Sequence, residues 1–286
     1  MAFYTGFVDD SGSEGAAHRQ MLLKIKELAE ANGWATLRYL NPSGATDTRE
    51  LILKGIGLSG DQEIYIGFRS YQDPTSDYYN LSVAGFIGYV SGNTFVTQPG
   101  FRESGVPAYK TRIDYWLAVN AQRIAFGLKV GTPVYESGYA GYFLPYATPG
   151  QWPYPLVVAG MLNGASATRY SETSHSMPYK GNRVNFALRN TDGTWLTPYA
   201  HPWWDPVFGG ATAALRETGT VYPLMPITLS SADLVDKYGD LDGISFVPGF
   251  GNAVENTITD ENSVVHTVIQ DVGRTGFNDY YALRNA

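Results

Sequence analysis

The chain has 286 residues, of which 44% are hydrophobic and only 16% charged, and its net charge is −7. This hydrophobic content allows a sizeable core and argues against a disordered chain. The negative charge disfavours general attraction to nucleic acid or anionic membranes, and the absence of cysteine excludes disulfides and thiolate metal sites.

The N-terminal residues lack the basic start and apolar block of a secretory signal. No apolar run approaches the ~20 residues of a membrane-spanning helix. We therefore expect a protein that folds in the cytoplasm and does not insert into a membrane.

The first predicted element is an amphipathic helix near the N-terminus. Ser11 and Glu14 have the spacing of a capping box, and Asn32-Gly33 supplies a stop. We expect His18 on the solvent side of this helix. The apolar stripe on the other side consists of Met21, Leu22, Ile25, Leu28 and Ala29.

Later segments alternate between apolar and polar residues, which predicts β-strands. Residues 120–122 are expected to form one tight hairpin turn and residues 260–263 another. A second, weaker helix candidate covers residues 231–238. The alternating runs are 63–68, 81–89, 113–119, 124–130, 253–259, 264–271 and 280–284.

These elements predict a mainly β fold: an antiparallel β-sandwich or barrel-like core with one N-terminal helix and long loops. Four prolines within residues 145–155 mark a candidate boundary. We divide the chain into a helical lead that packs on the core (1–50), a β-rich core (51–160) and a loop-rich β region (161–286). The last region is either a separate domain or part of the same one.

Two motifs resemble ligand sites. Residues 55–60 spell GxGxxG, but a strand follows where a dinucleotide site needs a helix, so we interpret them as a Gly-rich turn. Residues 240–243 (DLDG) resemble part of a calcium loop without its closing Glu, and we predict a turn. The four histidines show no metal-ligand spacing. We therefore predict no catalytic residue, no metal site, no cofactor and no enzymatic activity.

Residues 134–158 are the most unusual part of the chain, because Glu136 is their only charged residue among many Tyr, Gly, Pro and Trp. Aromatic side chains cover a large area at low entropic cost and are enriched at protein interfaces. A second aromatic cluster lies between prolines at residues 201–206. The candidates for an interface or a glycan-binding surface are Trp152, Trp203, Trp204, Tyr139 and Tyr142.

Several long phrases of the chain resemble structural proteins of tailed-bacteriophage virions, associated with the tail or baseplate. The phrases are LILKGIGLSG (51–60), EIYIGFRSYQ (63–72), IDYWLAVNAQRIAFGLKV (113–130), YESGYAGYFLPYATPGQWPYPL (135–156), GFGNAVENTI (249–258) and QDVGRTGFNDYYALR (270–284). The resemblance implies a virion component that is assembled in the host cytoplasm with copies of itself and other virion subunits. The resemblance implies no catalytic residue in this chain.

Two other functions stay open. A glycan- or receptor-binding module of the virion would use the same aromatic side chains together with nearby Asn, Asp and Ser. A virion-associated glycan hydrolase would need two carboxylates in one cleft. Glu103, Asp114, Glu136 and Glu172 lie in aromatic-rich surroundings and are the residues to inspect.

Overall fold

The computed structural model describes residues 1–41, 48–148, 150–202, 221–222, 224–249 and 251–285, with the backbone alone for 221–222. The protein is mainly β, with antiparallel sheets packed together and one α-helix. None of the sheets closes into a barrel within these ranges, so the predicted β-sandwich-like core is confirmed. In the same ranges, no helix has the length and apolar character needed to cross a membrane.

The elements are numbered in chain order. The first part contains β1 Ala2–Asp9, α1 Ala17–Ala31, β2 Ala35–Leu40, β3 Arg49–Gly55, β4 Ile64–Asp73, β5 Tyr78–Phe86, β6 Arg102–Pro107 and β7 Arg112–Val119. The middle contains β8 Arg123–Gly131, β9 Val134–Tyr142, β10 Leu144–Pro145, β11 Leu156–Ala159, β12 Leu162–Asn163, β13 Gly181–Asn182, β14 Phe186–Arg189, β15 Trp195–Leu196 and β16 Tyr199–Ala200. The last part contains β17 Val221–Tyr222, β18 Met225–Ser230, β19 Lys237–Phe246, β20 Thr257–Asp260, β21 Val265–Gln270 and β22 Tyr280–Arg284.

Three sheets form from these strands. Sheet A has the order β1-β7-β8-β9-β11-β14-β15, and sheet B has the order β12-β6-β5-β4-β3-β2. Sheet C has the order β13-β16-β18-β19-β22-β21-β20-β17, with β10 paired to β19. Its β17–β20 pair is parallel. Sheet A takes strands from all three sequence intervals defined above, so strand pairing crosses both boundaries.

Sheet A is the middle layer of the protein. On one face, the ring of Phe126 lies 6.5 Å from Phe68 of sheet B. On the other face, the side chain of Ile269 in sheet C packs directly over Gly127. Because successive strand residues point to opposite faces, the neighbours Phe126 and Gly127 show that both faces are covered. Helix α1 contacts strands of sheets A and B.

The helix confirms the apolar stripe but not the predicted start. Met21, Leu22, Ile25 and Ala29 are buried, whereas the helix begins at Ala17 without a side-chain cap. Glu14 instead accepts hydrogen bonds from Tyr39 and Arg49, so tertiary contacts replace the capping box.

The prediction that His18 faces solvent is wrong. The side chain is fully buried, and its ring lies edge-on to Tyr79 at 5.3 Å. Burial lowers the pKa of His18 to about 3, so the imidazole is neutral near pH 7.

The predicted hairpins are confirmed. Residues 120–122 join β7 to β8, and the 260–263 turn joins β20 to β21. The GxGxxG segment forms the connection between β3 and β4, as expected for a turn. Two other predictions are wrong. The helix predicted at residues 231–238 is a turn followed by the start of β19, and the turn predicted at residues 240–243 lies inside β19.

A buried ion pair holds an irregular part of β19, where the pairing with β18 shifts register between Pro226 and Thr228. Asp242 of β19 accepts hydrogen bonds from Arg123 at 3.2 Å, Asn120 at 2.6 Å and Gln122 at 3.1 Å. Arg123 is fully buried and also donates to the carbonyl of Ala118 at 2.8 Å. Sheet A and sheet C are therefore joined through one carboxylate.

The next residue in β19 makes room for this ion pair. Gly243 has φ +75°, and a Cβ there would lie only 2.1 Å from the Arg123 guanidinium. A residue with a side chain would be strained and would also displace Arg123.

We expect Asp242→Asn to lower the free energy of unfolding by about 3 kcal/mol, because it leaves the Arg123 charge buried without its counter-charge. Urea denaturation at pH 7 measures the loss. Asp236→Asn, at an exposed position just before β19, is the matched control and should stay within about 0.5 kcal/mol of the unsubstituted protein. Equal stability of the two variants would contradict the role given to the pair.

Candidate binding cleft

An open cleft of about 590 Å³ lies at one end of sheet A. Most of its lining belongs to one segment, the cleft loop, defined as residues 143–148 and 150–155. Tyr142 at the end of β9 pairs with Leu156 at the start of β11, so the chain leaves sheet A and returns to it at adjacent positions. The cleft loop is thus an excursion with both ends held by the sheet.

Two sets of contacts hold the cleft loop in place. Leu144 and Pro145 form β10, which pairs with residues 239–240 of β19. The Tyr146 backbone N–H donates to the carbonyl of Tyr238 at 2.9 Å, and its hydroxyl donates to Asp240 at 2.9 Å. The loop is therefore fastened to sheet C as well as to sheet A.

Trp152 is the central side chain of the loop. Its ring lies edge-on to Phe143 at 5.2 Å and to Tyr238 at 5.6 Å. Its indole N–H donates to the carbonyl of Arg189 at 2.9 Å. Trp152 is half-buried, so one part of the ring anchors the loop and the rest lines the cleft.

A polar wall of the cleft comes from two turns that are distant in sequence. Gln62 and Glu63 lie just before β4, and Gln122 lies in the turn between β7 and β8. Glu63 forms an ion pair with Lys54, and the hydrogen bond from that ammonium lowers the pKa of the Glu63 carboxyl. Gln122 is buried and donates to Asp242.

The five aromatic residues selected from the sequence do not form one site. Trp152 and Tyr142 line the same cleft, although only 5% of Tyr142 is exposed. Tyr139 is fully buried, and its hydroxyl donates to the carbonyl of Tyr142 at 2.7 Å, so it presents no surface to a partner. Trp203 and Trp204 lie outside the described residues.

The arrangement favours binding by stacking and hydrogen bonding. The rings of Trp152 and Tyr154 provide flat apolar surface, and Gln62 and Glu63 provide exposed polar groups in the same lining. Glu63 is the only carboxylate among the described residues that line the cleft. The two-carboxylate arrangement of a glycan hydrolase is therefore not found in that lining.

The four carboxylates selected from sequence for such a hydrolase lie elsewhere. Glu103 is held by Arg69, Asp114 by Arg112, and Glu136 is buried near His175. Glu172 is exposed in the region between β12 and β13. None of the four lines the cleft.

Sequence reasoning missed the polar wall. The turn at 120–122 was predicted, but Glu63 was assigned to a strand, and Gln62, Glu63 and Gln122 belong to no local pattern. The two turns meet only because sheets A and B pack together, with the Gly57 N–H donating to the carbonyl of Ala121 at 3.0 Å.

We expect Trp152→Phe to lower the free energy of unfolding by about 1 kcal/mol, because the ring contacts remain while the carbonyl of Arg189 loses its donor. Tyr154→Phe is the matched control, since this half-buried ring also lines the cleft, and its effect should stay below about 0.5 kcal/mol. Both are measured by urea denaturation. An equal effect of the two substitutions would show that the indole hydrogen bond does not hold the loop.

No protein-family model matches this chain, and no curated protein matches it. Its function is therefore argued from its own residues.

Proposed function

We propose that this chain is a structural component of a tailed-bacteriophage virion, of its tail or baseplate, and that it acts by contacts with copies of itself and other virion subunits. The long phrases that resemble such proteins, together with the low charge fraction and the richness in Tyr and Gly, support this proposal. The virion is its proposed location, after synthesis and assembly in the host cytoplasm.

The observation that carries the proposal is an exposed apolar rim on the cleft loop. Leu144 is 44% exposed and Tyr146 is 57% exposed, and Pro145 lies between them. Both side chains stand beside a cleft whose walls include further prolines and aromatic rings. Apolar and aromatic side chains next to a concave surface are typical of the central contacts in protein interfaces.

The rim is also rigid, which favours a structural contact. Its backbone pairs with β19, and the Tyr146 hydroxyl is already bonded to Asp240. Little conformational freedom is left to lose when a neighbouring subunit covers it, so more of the contact energy appears as affinity.

We expect the purified protein to form oligomers through this rim, and Leu144→Ser/Tyr146→Ser to weaken their association at least about thirtyfold, equivalent to ~2 kcal/mol. Light scattering after size exclusion, over a concentration series, measures this. Val184→Ser is the matched control, because Val184 is 62% exposed but lies outside the cleft lining, and it should leave association unchanged.

Mass spectrometry of purified virions of the phage that encodes the chain is the second measurement. A protein that stays monomeric at all concentrations and is missing from those virions would contradict the proposed role.

A glycan-binding role is the second candidate, and one feature of the cleft favours it. Trp152 and Tyr154 line the same cavity as Gln62 and Glu63, so aromatic rings and hydrogen-bonding groups border one space. A sugar ring requires both kinds of contact, since its two faces are apolar and its edges carry hydroxyls.

For this second role we expect Gln62→Ala to weaken saccharide binding about tenfold, because an exposed hydrogen-bonding group is lost while the aromatic wall stays intact. Tryptophan fluorescence during titration with saccharides selected on a glycan array measures the binding. Asp61→Ala, at the adjacent exposed position outside the lining, should change nothing. Absence of binding on the array would remove this candidate and leave the assembly role untouched.

A further inference from the structure

Residues 171–180, here named the strap, are fastened to the turn that follows β21. The carboxylate of Asp271, fully buried in that turn, accepts hydrogen bonds from the Ser176 hydroxyl at 3.0 Å, the Met177 backbone N–H at 2.6 Å and the Lys180 ammonium at 3.0 Å. The strap is buried from Met177 to Lys180. It therefore packs against the body of the protein without being part of a sheet.

A second set of hydrogen bonds to the strap comes from the same turn. Arg274 donates to the backbone carbonyl of His175 at 2.6 Å and to that of Thr173. Lys180 also donates to Asp279. The strap is thus held by side chains of residues 271–279 at both of its ends.

Glu136 of β9 lies against this strap. It is fully buried, and neither of its carboxylate oxygens accepts a hydrogen bond from any residue that the structure describes. One oxygen lies 3.5 Å from Nδ1 of His175, within ion-pair distance but without the alignment of a hydrogen bond. A buried carboxylate with so few partners is strongly disfavoured in its charged form.

The surrounding charges do not remove the penalty on the charged form of Glu136. Facing Glu136 are His175 from the strap and Asp271 and Arg274 from the turn. Farther out in the same network, Lys180 pairs with both Asp271 and Asp279. The two cations and the two aspartates of this network balance, so His175 is the nearest group that can compensate the Glu136 charge. Burial accordingly raises the pKa of Glu136 to about 7, against the opposing influence of His175.

We propose that the strap is a pH-dependent conformational device, closed while the Glu136 carboxyl is protonated and loosened when Glu136 ionises. Loosening lets water reach the carboxylate, and it uncovers the buried side chains of Met177 and Tyr179. This device is independent of the proposed assembly role.

The direction of this pH dependence follows from the linkage between proton binding and strap closure. A carboxyl that binds its proton more tightly in the closed form stabilises that form below the normal Glu pKa near 4.5, and this contribution is lost as the pH rises through about 7. For those two values, the equilibrium constant for opening rises roughly tenfold between pH 6 and pH 8.

Amide hydrogen exchange at pH 6 and pH 8, corrected for the intrinsic exchange rate, tests this on the unsubstituted protein. We expect protection in the peptides covering 171–180 to fall about tenfold at pH 8, with unchanged protection in the reference peptides covering 64–86 of sheet B. Absence of a difference in the strap overturns the proposal. A parallel loss in the reference peptides overturns it as well, because the effect is then a global loss of stability.

Glu136→Gln keeps the shape of the side chain and removes its ionisation. We expect strap protection in this variant to be the same at pH 6 and pH 8, and at pH 8 to be at least as high as in the unsubstituted protein at pH 6. Glu172→Gln, at an exposed carboxylate of the same strap, is the matched control and should keep the full pH response. A pH response that survives Glu136→Gln, or that disappears in Glu172→Gln, assigns the device to another group and overturns the proposal.

Discussion

The buried carboxylate of Asp242 is the constraint on which the rest of the structure depends. It is the point where the β7–β8 hairpin of sheet A meets β19 of sheet C. The same two elements position the cleft: Gln122 of the hairpin forms part of its polar wall, and β19 pairs with β10 of the cleft loop. Gln122 itself donates to Asp242, so a residue of the polar wall and the strand that holds the cleft loop share one anchor.

The aromatic segment of the chain serves two purposes, and the boundary between them lies at the end of β9. Before that point every residue of the strand is buried, so rings such as Tyr135 and Tyr139 belong to the core. Beyond it the chain leaves sheet A, and Leu144 and Tyr146 become exposed. The sequence shows one continuous run of Tyr, Gly and Pro. Whether a ring is core or surface depends on the second layer, because sheet C covers a face of β9 that would otherwise be open.

Local patterns predicted the local structure well, and failed where a distant partner decides. The period-two runs and the turn at 120–122 were enough to predict the β7–β8 hairpin, because strand alternation and turn chemistry act over a few residues. The sequence places Glu14 in a capping box, whereas the residue bonds to Tyr39 and Arg49. It places residues 240–243 in a turn, whereas they lie inside β19, with Asp242 bound to Arg123. Half of the candidate site was predictable from the sequence. Trp152 stands out in a segment rich in aromatic residues, whereas the polar wall forms only where turns of sheets A and B meet.

Asp242 and Glu136 show why two buried carboxylates in one protein have different consequences. Asp242 has a guanidinium and two amides as donors, so its charge is compensated. Glu136 has no hydrogen-bond donor among the described residues, so the protein tolerates the carboxyl more easily than the carboxylate. The first arrangement joins two sheets that must not separate. The second lies under a strap that belongs to no sheet along residues 171–180, where a change of protonation alters the packing without breaking the strand ladders.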